Sequence, residues 1–344
     1  MRLTCSAMPK GSFAKALAVA AGLLTGMPIC EAREKVPVFT FSGAPKEAAG
    51  EPTASPGDAS RVIPPPRIIP SQDGGAAVDS YKDGSEKPEN WPFTINLTST
   101  IGCTGTLIGP QVLLTAAHCV QRMRVFDLSA GAQLVPNKAP QVMLIRTTCE
   151  AHPRYRPLGP LSRVDFALCY LATPFPERVE IETDESRRMG VKTLSYPVKF
   201  QRLSLSPRDV GWRQKLFLAG FGCSSSTSVR IDGKIRAGLA TLSGLSELSL
   251  SLGGYGRRDS STLCKGDSGG AVYRLASTKD PYGPRLVVGV NSASIVIQGR
   301  SFVARTSSAA FQQFFNRWRA RWKMPPVCGI DKSIEERCHD RAVR

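Results

Sequence analysis

A series of short apolar runs, beginning at Trp91, most constrains what this chain can fold into. The runs, among them FTINL, KLFLAGFG and RLVVGVNSASIVI, are rich in β-branched residues or alternate apolar with polar positions, and turn residues separate them. Many short strands at this density are typical of a sandwich or a barrel. The 31 glycines and 26 prolines also favour turns over long helices. With neither alternating strands and helices nor an internal repeat in view, the sequence predicts an all-β domain.

One segment near the end of the chain has helical periodicity instead. In SAAFQQFFNRWRARW, the apolar residues Phe311, Phe314, Phe315, Trp318 and Trp322 recur at intervals of three or four. This spacing places them on one face of an amphipathic helix, with the arginines on the outer face. The chain length of 344 residues accommodates one large domain with extensions or two modest domains.

The first 32 residues have the three parts of a secretory signal peptide. Basic residues, the last of which is Lys15, precede an Ala- and Leu-rich stretch over residues 16–26, and the small residue Ala32 follows. A buried helix is the alternative interpretation. We predict cleavage after Ala32 and a secreted or periplasmic protein. The rest of the chain lacks an apolar run of about 18 residues, which predicts no transmembrane span.

Composition divides the remaining chain into three parts. Residues 33–90 are rich in Pro, Gly, Ala and Ser and have no sustained periodicity, which indicates a linker or pro-segment. The strand-like runs and the helix occupy residues 91–325. Residues 326–344 form a C-terminal tail. This tail belongs to a basic region, residues 317–344, which holds eight basic and four acidic residues.

The formal net charge of +17 suggests an anionic partner. Residues 91–316 alone contain 27 basic and 14 acidic residues, so the charge lies on the strand-rich domain rather than on a detachable tail. There it could steer acidic substrates or hold the protein to an anionic surface. No basic stripe or aromatic stacking platform is evident, and the sequence therefore predicts no specific nucleic-acid partner.

Three short motifs carry the residues of a nucleophilic mechanism. LLTAAHC contains His118, VDFAL contains Asp165, and CKGDSGG contains Ser268, at separations of 47 and 103 residues. A histidine that accepts the serine proton makes the hydroxyl a nucleophile, and a carboxylate orients the imidazole and stabilises its charged form. The glycines allow a sharp turn in which the amides of Gly266 and Ser268 converge on an oxyanion.

With these motifs the sequence resembles the chymotrypsin-like (trypsin-like) serine proteases, from about Trp91 to Trp322. LTAAHC and GDSGG match the histidine and serine motifs of that family, and the order His, Asp, Ser is the order this fold uses. NWPFTINL and GCTGTLI look like its first strands. The resemblance implies two six-stranded antiparallel β-barrels with a C-terminal helix, and catalysis by His118, Asp165 and Ser268.

The implied activity is that of a secreted serine endopeptidase, a hydrolase that cleaves protein or peptide substrates through an acyl-enzyme and needs no cofactor or metal. A different class of function stays open. The protein could be a secreted binding protein on a protease scaffold, inactive or locked as a zymogen, that uses its basic surface.

Eight cysteines follow the predicted leader, and an even number in an exported protein indicates disulfides. Metal binding is the competing interpretation, but the sequence has no C-x-x-C pair. Under the resemblance, the expected pairs are Cys103–Cys119, Cys149–Cys169, Cys223–Cys264 and Cys328–Cys338.

The resemblance also locates a specificity pocket. Its base lies six residues before the serine, at Thr262, which Leu263 follows. No carboxylate is present there to pair with Arg or Lys. The resemblance implies that Ser292 and Ser294 form one wall, with Ser294 placed to pair with the substrate backbone, and that Ser301 lies on the other wall. Leu263 and Ser301 are expected to make the pocket shallower. We expect small or medium uncharged side chains to be preferred.

Family zymogens are cut to free an apolar amino terminus, which then pairs with the aspartate before the serine, here Asp267. The best candidate for this cleavage is Arg67–Ile68. The alternative is that Arg67 is simply a linker residue.

Overall fold

The computed structural model describes residues 91–339, apart from 92, 99, 131–142, 158–163, 182–187, 192–193, 224–230, 232, 255–259, 281 and 296–297. The predicted leader, the predicted linker or pro-segment and the Arg67–Ile68 bond lie outside the described residues. None of the described helices is both long enough and apolar enough to cross a membrane.

Strands dominate the described residues, as the short apolar runs predict. In chain order they are β1 (Thr94–Leu97), β2 (Cys103–Gly109), β3 (Val112–Thr115), β4 (Val125–Ala130), β5 (Met143–Ala151), β6 (Ala167–Leu171), β7 (Arg178–Ile181), β8 (Leu194–Pro197), β9 (Arg202–Leu203), β10 (Lys215–Gly220), β11 (Arg236–Leu245), β12 (Ser249–Gly253), β13 (Ala271–Leu275), β14 (Arg285–Ile295) and β15 (Arg300–Arg305). A C-terminal helix, α1 (Ala309–Arg321), follows them. Short 3₁₀ turns lie at His118–Val120, Pro207–Asp209 and Lys332–Arg337.

The first sheet is antiparallel and has the order β1-β2-β3-β6-β5-β4. All residues of β2 and β3 are buried, because these central strands have neighbours on both sides and packing on both faces. Within the described residues β1 and β4 do not pair, so this sheet is a half-barrel rather than the closed barrel expected from the resemblance. Apolar patterning specifies which segments are strands, whereas closure depends on pairing between the two edge strands.

The second sheet closes. Its order is β13-β10-β11-β12-β15-β14, and an additional pairing of β13 with β14 completes a six-stranded antiparallel barrel. Strand β9 adds to β14 in parallel, and β7 and β8 form a separate two-stranded sheet. The chymotrypsin-like fold predicted from the sequence is therefore confirmed, with one half-barrel and one closed barrel.

The apolar core follows from these sheets. One buried cluster runs from Trp91 and Phe93 through the first sheet to Phe217 and Tyr273 of the second. A second cluster fills the closed barrel with aliphatic side chains from its alternating strand positions, among them Leu218 and Val303. Because one cluster contains residues from both sheets, the two halves share part of their core.

The predicted helix is present and begins at an N-cap serine. The Ser308 hydroxyl accepts a hydrogen bond from the Phe311 amide, 3.2 Å away. Phe311 and Phe314 are buried, and the Phe311 ring lies edge-on to Phe166 with centroids 4.9 Å apart. Phe166 directly follows Asp165 in the sequence. The helix thus packs against the segment that carries the predicted catalytic carboxylate.

Residues 326–339 pack against the domain. The Cys328 amide donates to the Ile108 carbonyl of β2 over 2.8 Å, and the Cys328 carbonyl accepts from the Leu203 amide of β9 over 2.9 Å. The His339 amide donates to the Phe200 carbonyl over 2.8 Å. The tail therefore links the first sheet to the connecting segment that leads into the second barrel.

The stability of the protein should depend on pH through the buried residue His152. The His152 ring is 3% exposed and lies edge-on to Phe166 and Phe314. Burial, followed by the nearby charges of Arg154 and Arg317, lowers the pKa of His152 from 6.5 to about 4. Because the unfolded chain then binds more protons at this residue than the folded one, the contribution of His152 to stability falls as the pH drops from about 6.5 towards 4.

We expect His152→Gln to make this fall shallower, since the amide keeps hydrogen-bonding groups but does not titrate. The free energy of unfolding can be measured in urea at several pH values between 4 and 6.5. Its slope against pH should be lower in the variant than in the parent protein, by up to about 1.4 kcal/mol per pH unit. Parallel curves for the variant and the parent protein would contradict the assignment.

Candidate active site

His118 lies in the 3₁₀ turn that follows β3, held close to Asp165. Its backbone amide donates to Asp165 Oδ1 over 2.9 Å, and its Nδ1 lies 2.7 Å from Asp165 Oδ2. Since a carboxylate only accepts, Nδ1 carries the proton and Nε2 keeps its lone pair. The geometry leaves Nε2 able to act as a base.

Asp165 is buried just before β6 and receives a further hydrogen bond from the second barrel. The Ser292 hydroxyl of β14 donates to Asp165 Oδ2 over 2.6 Å. Hydrogen bonds from His118 and Ser292 therefore fix both carboxylate oxygens. A buried carboxylate needs such donors, because leaving it without them costs several kcal/mol.

Ser268 lies in the turn between β12 and β13, whose shape depends on two glycines. Gly266 and Gly269 have φ angles of 98° and 84°, in the left-handed region that favours glycine. A side chain at Gly269 would also collide with Thr115 and with the carbonyl of Thr104. The GDSGG motif is thus required both by the backbone conformation and by the close approach of the first sheet.

Hydrogen bonds connect the three predicted catalytic residues across the two halves of the protein. Besides the bonds from His118 to Asp165, the Ser292 hydroxyl binds Asp165, and the Ser292 carbonyl accepts a hydrogen bond from Ser268 Oγ over 3.3 Å. On the other side, Cys119 Sγ lies 3.8 Å from the Ser268 carbonyl oxygen. Proton transfer to His118 requires the Ser268 hydroxyl to turn from the Ser292 carbonyl to the imidazole.

Four disulfides join the eight cysteines of the described residues. The pairs are Cys103–Cys119, Cys149–Cys169, Cys223–Cys264 and Cys328–Cys338, with Cα–Cα distances of 6.1, 3.9, 5.5 and 5.5 Å respectively. These are the pairs that the family resemblance implies. Ligand atoms of Cys103, His118 and Cys119 lie within 4.8 Å of one another. They do not form a thiolate metal site, because the two sulfurs are bonded to each other.

A comparison with known families decides the relationship. The Trypsin family model matches residues 82–311, about two thirds of the chain. The chain belongs to the trypsin family. Membership makes it a serine protease of the chymotrypsin type, whose substrates are proteins. The resemblance read from the motifs is therefore confirmed.

Residues 264–270 of this trypsin-family chain form the turn that holds the predicted nucleophile, termed the catalytic turn, and this turn presents two unpaired amides. The Asp267 amide donates to the Cys264 carbonyl over 3.1 Å, and the Gly269 amide donates to the Asn291 carbonyl over 2.8 Å. In the part of the chain that the structure describes, the amides of Gly266 and Ser268 donate to no protein acceptor. Amides left unpaired beside a nucleophile can bind an oxyanion.

Asp267, which the sequence assigns to zymogen activation, is completely buried beneath this turn. One carboxylate oxygen accepts from the Gly222 amide and the other from the Cys264 amide, each over 2.8 Å. Burial raises the pKa of Asp267 from 3.8 to about 7, although these two amides and the charge of Arg236 act in the opposite direction. A side chain at Gly222 would collide with the carboxylate, so glycine is needed there.

The predicted specificity residues also lie together. Thr262, Leu263 and Ser301 are buried, and the Leu263 amide donates to Ser301 Oγ over 2.9 Å. Ser294 is the register partner of Ser301 in neighbouring strands. Among the described residues the Thr262 hydroxyl has no hydrogen-bond partner. Thr262, Leu263 and Ser301 therefore form one uncharged group.

Two contributions to the site are not evident from the sequence. The sequence predicts Ser292 as a pocket wall, whereas its hydroxyl also binds Asp165. Thr104 lies in the GCTGTLI segment, where nothing local indicates that its hydroxyl contacts the Gly266 carbonyl of the catalytic turn. No local pattern could have revealed either contact, because the partners are 127 and 162 residues apart.

We expect Ser292→Ala to lower kcat for peptide hydrolysis about 10-fold, because loss of a hydrogen bond to a buried carboxylate leaves Asp165, and with it His118, less well fixed. Steady-state kinetics on a peptide amide would measure the change. Ser243→Ala is the matched control, since among the described residues the Ser243 hydroxyl bonds to the Ser251 carbonyl of the neighbouring strand and to no group of the site. Equal kcat values for the two variants would contradict the role of Ser292.

Proposed function

We propose that this protein is a secreted serine endopeptidase that cleaves peptide bonds through an acyl-enzyme. The observation that carries the proposal is the 2.7 Å contact between His118 Nδ1 and Asp165 Oδ2, beside a glycine turn that presents Ser268. The four disulfides fit an exported protein. The predicted signal peptide, with cleavage after Ala32, supplies the route of export.

In the first half of the reaction, Ser268 Oγ attacks the substrate carbonyl while His118 Nε2 takes its proton. Asp165 stabilises the resulting imidazolium and keeps the ring in place. The amides of Gly266 and Ser268 bind the negative oxygen of the tetrahedral intermediate. His118 then returns the proton to the leaving amine, which departs and leaves the acyl-enzyme.

In the second half, His118 removes a proton from a water molecule, which attacks the acyl carbon. The same two amides bind the new oxyanion. Collapse of this intermediate releases the carboxylic acid product, and the proton on His118 returns to Ser268. Every proton is thus moved by one imidazole, which Asp165 holds through a hydrogen bond while Ser292 in turn holds Asp165.

The specificity proposed for this enzyme follows from an uncharged pocket. Thr262 replaces the carboxylate that would bind Arg or Lys, and Leu263 and Ser301 reduce the depth. Small or medium uncharged side chains are therefore preferred. The excess of basic residues on the domain favours acidic substrates elsewhere along the peptide, or attachment to an anionic surface.

Activation is proposed to follow cleavage at Arg67–Ile68. The new amino terminus would carry a positive charge to the buried Asp267 carboxylate. Favourable burial of that carboxylate as an anion requires a nearby cation, in keeping with the effect of Arg236 on its pKa.

The nucleophile can be tested directly with a fluorophosphonate probe on the secreted protein. We expect the wild type to be labelled at Ser268 and Ser268→Ala to remain unlabelled, because phosphonylation requires an activated hydroxyl. Mass mapping identifies the residue, and amino-terminal sequencing of the labelled form tests Ile68 as its first residue. Absence of labelling even after removal of residues 33–67 would favour the binding-protein alternative.

The pocket can be tested with a peptide library digested by the wild type and by Ser301→Gly. We expect wild-type cleavage after small or medium uncharged residues, and a shift towards larger side chains in the variant, because removal of the Ser301 side chain deepens the pocket. Mass spectrometry of the products gives both profiles. Cleavage by the wild type mainly after Arg, Lys or Glu would refute the proposed preference.

A further inference from the structure

Thr104, the second residue of β2, contacts the catalytic turn with its side chain as well as its backbone. Its Oγ1 donates to the Gly266 carbonyl over 2.7 Å and accepts from the Phe221 amide over 3.0 Å. Its backbone amide donates to the Ser268 carbonyl over 2.8 Å. Thr104 is fully buried, so water does not compete for these bonds.

The two carbonyl groups held by Thr104 flank the peptide bond that carries the Ser268 amide. In a trans peptide the C=O and the following N–H point in opposite directions. Fixing the Gly266 carbonyl therefore fixes the Asp267 amide on its other side, and fixing the Ser268 carbonyl fixes the Gly269 amide. The peptide group between them, which contains the Ser268 N–H, is held from both ends.

Thr104 also belongs to the half of the protein that carries the histidine. Its carbonyl accepts a hydrogen bond from Thr115 Oγ1 at the end of β3, over 2.9 Å. The preceding residue, Cys103, is bonded to Cys119, which follows His118. Thr104 is thus connected both to the 3₁₀ turn that carries His118 and to the catalytic turn of the second barrel.

We propose that Thr104 is a positioning residue that sets the orientation of the oxyanion-binding Ser268 amide relative to His118. Its hydroxyl is suited to this task, because it acts as donor to one segment of the second barrel and acceptor from another at the same time. The inference rests on the proposed function, since an oxyanion forms only if the protein hydrolyses peptide bonds.

The test compares Thr104→Val, which has nearly the same shape but no hydroxyl, with Thr104→Ser, which keeps the hydroxyl. We expect Thr104→Val to lower kcat about 10- to 100-fold with KM changed less than about 3-fold, because the amides act mainly on the transition state. Binding of a peptide boronic acid, which forms a tetrahedral adduct, should weaken by a similar factor, whereas the affinity for a cleaved peptide product should not change. Thr104→Ser should restore both kcat and boronate affinity to within about 3-fold of the wild type.

Thr147→Val is the matched control, since Thr147 is a buried threonine of the first sheet whose hydroxyl bonds to the Ile145 carbonyl of its own strand. Thr147→Val should lower the free energy of unfolding, but the ratio of its affinity for the boronic acid to its affinity for the cleaved product should stay that of the wild type. If Thr104→Val is unfolded at the assay temperature, Thr104→Ala assayed at low temperature replaces it.

The outcomes separate the two proposals. An active wild type together with a Thr104→Val variant of unchanged kcat and boronate affinity would overturn the role of Thr104 alone. Equal impairment of Thr104→Val and Thr104→Ser would do the same, because the hydroxyl would then not be the operative group. A wild type that binds neither fluorophosphonate nor boronate would overturn the proposed function, and the role of Thr104 with it.

Discussion

The site depends on a buried carboxylate that receives hydrogen bonds from both halves of the protein. Asp165 accepts from the amide and the imidazole of His118, in the turn after β3 of the first sheet, and from the Ser292 hydroxyl of the second sheet. An ionised group in this position is tolerated only while the two halves stay in register. Phe311 of α1 packs on Phe166, the residue after Asp165, and this contact helps to hold Asp165 in place. Structural stability and catalytic geometry therefore rest on the same contacts.

The catalytic turn is likewise held by hydrogen bonds from both halves of the protein. The buried Asp267 carboxylate accepts from amides of Gly222 and Cys264 in the second barrel, and Thr104 approaches from the first. The left-handed Gly266 allows the chain to turn between them. A rigid turn matters because preorganised amides need no reorientation when charge develops on the substrate.

Much of this could be predicted from the sequence, since short motifs encode local conformation and chemical type. The strand-rich domain, the C-terminal helix and the family followed from apolar patterning and from the motifs around His118 and Ser268. Closure of the second sheet but not of the first could not be predicted, because pairing of distant strands leaves no local pattern. The same limit concealed the second role of Ser292 and the contacts of Thr104. Such residues are recognised only when segments more than a hundred positions apart are seen in contact.

The segment of residues 326–339 has a consequence for folding. The amide of Cys328 donates to the Ile108 carbonyl of the first sheet, and its carbonyl accepts from the Leu203 amide of β9, although these residues lie 220 and 125 positions earlier in the sequence. Contacts of such large sequence separation close long loops, which costs conformational entropy before the hydrogen bonds can form. A domain that has folded its two sheets but has not yet placed this segment would therefore lack the backbone hydrogen bonds that join them at this position.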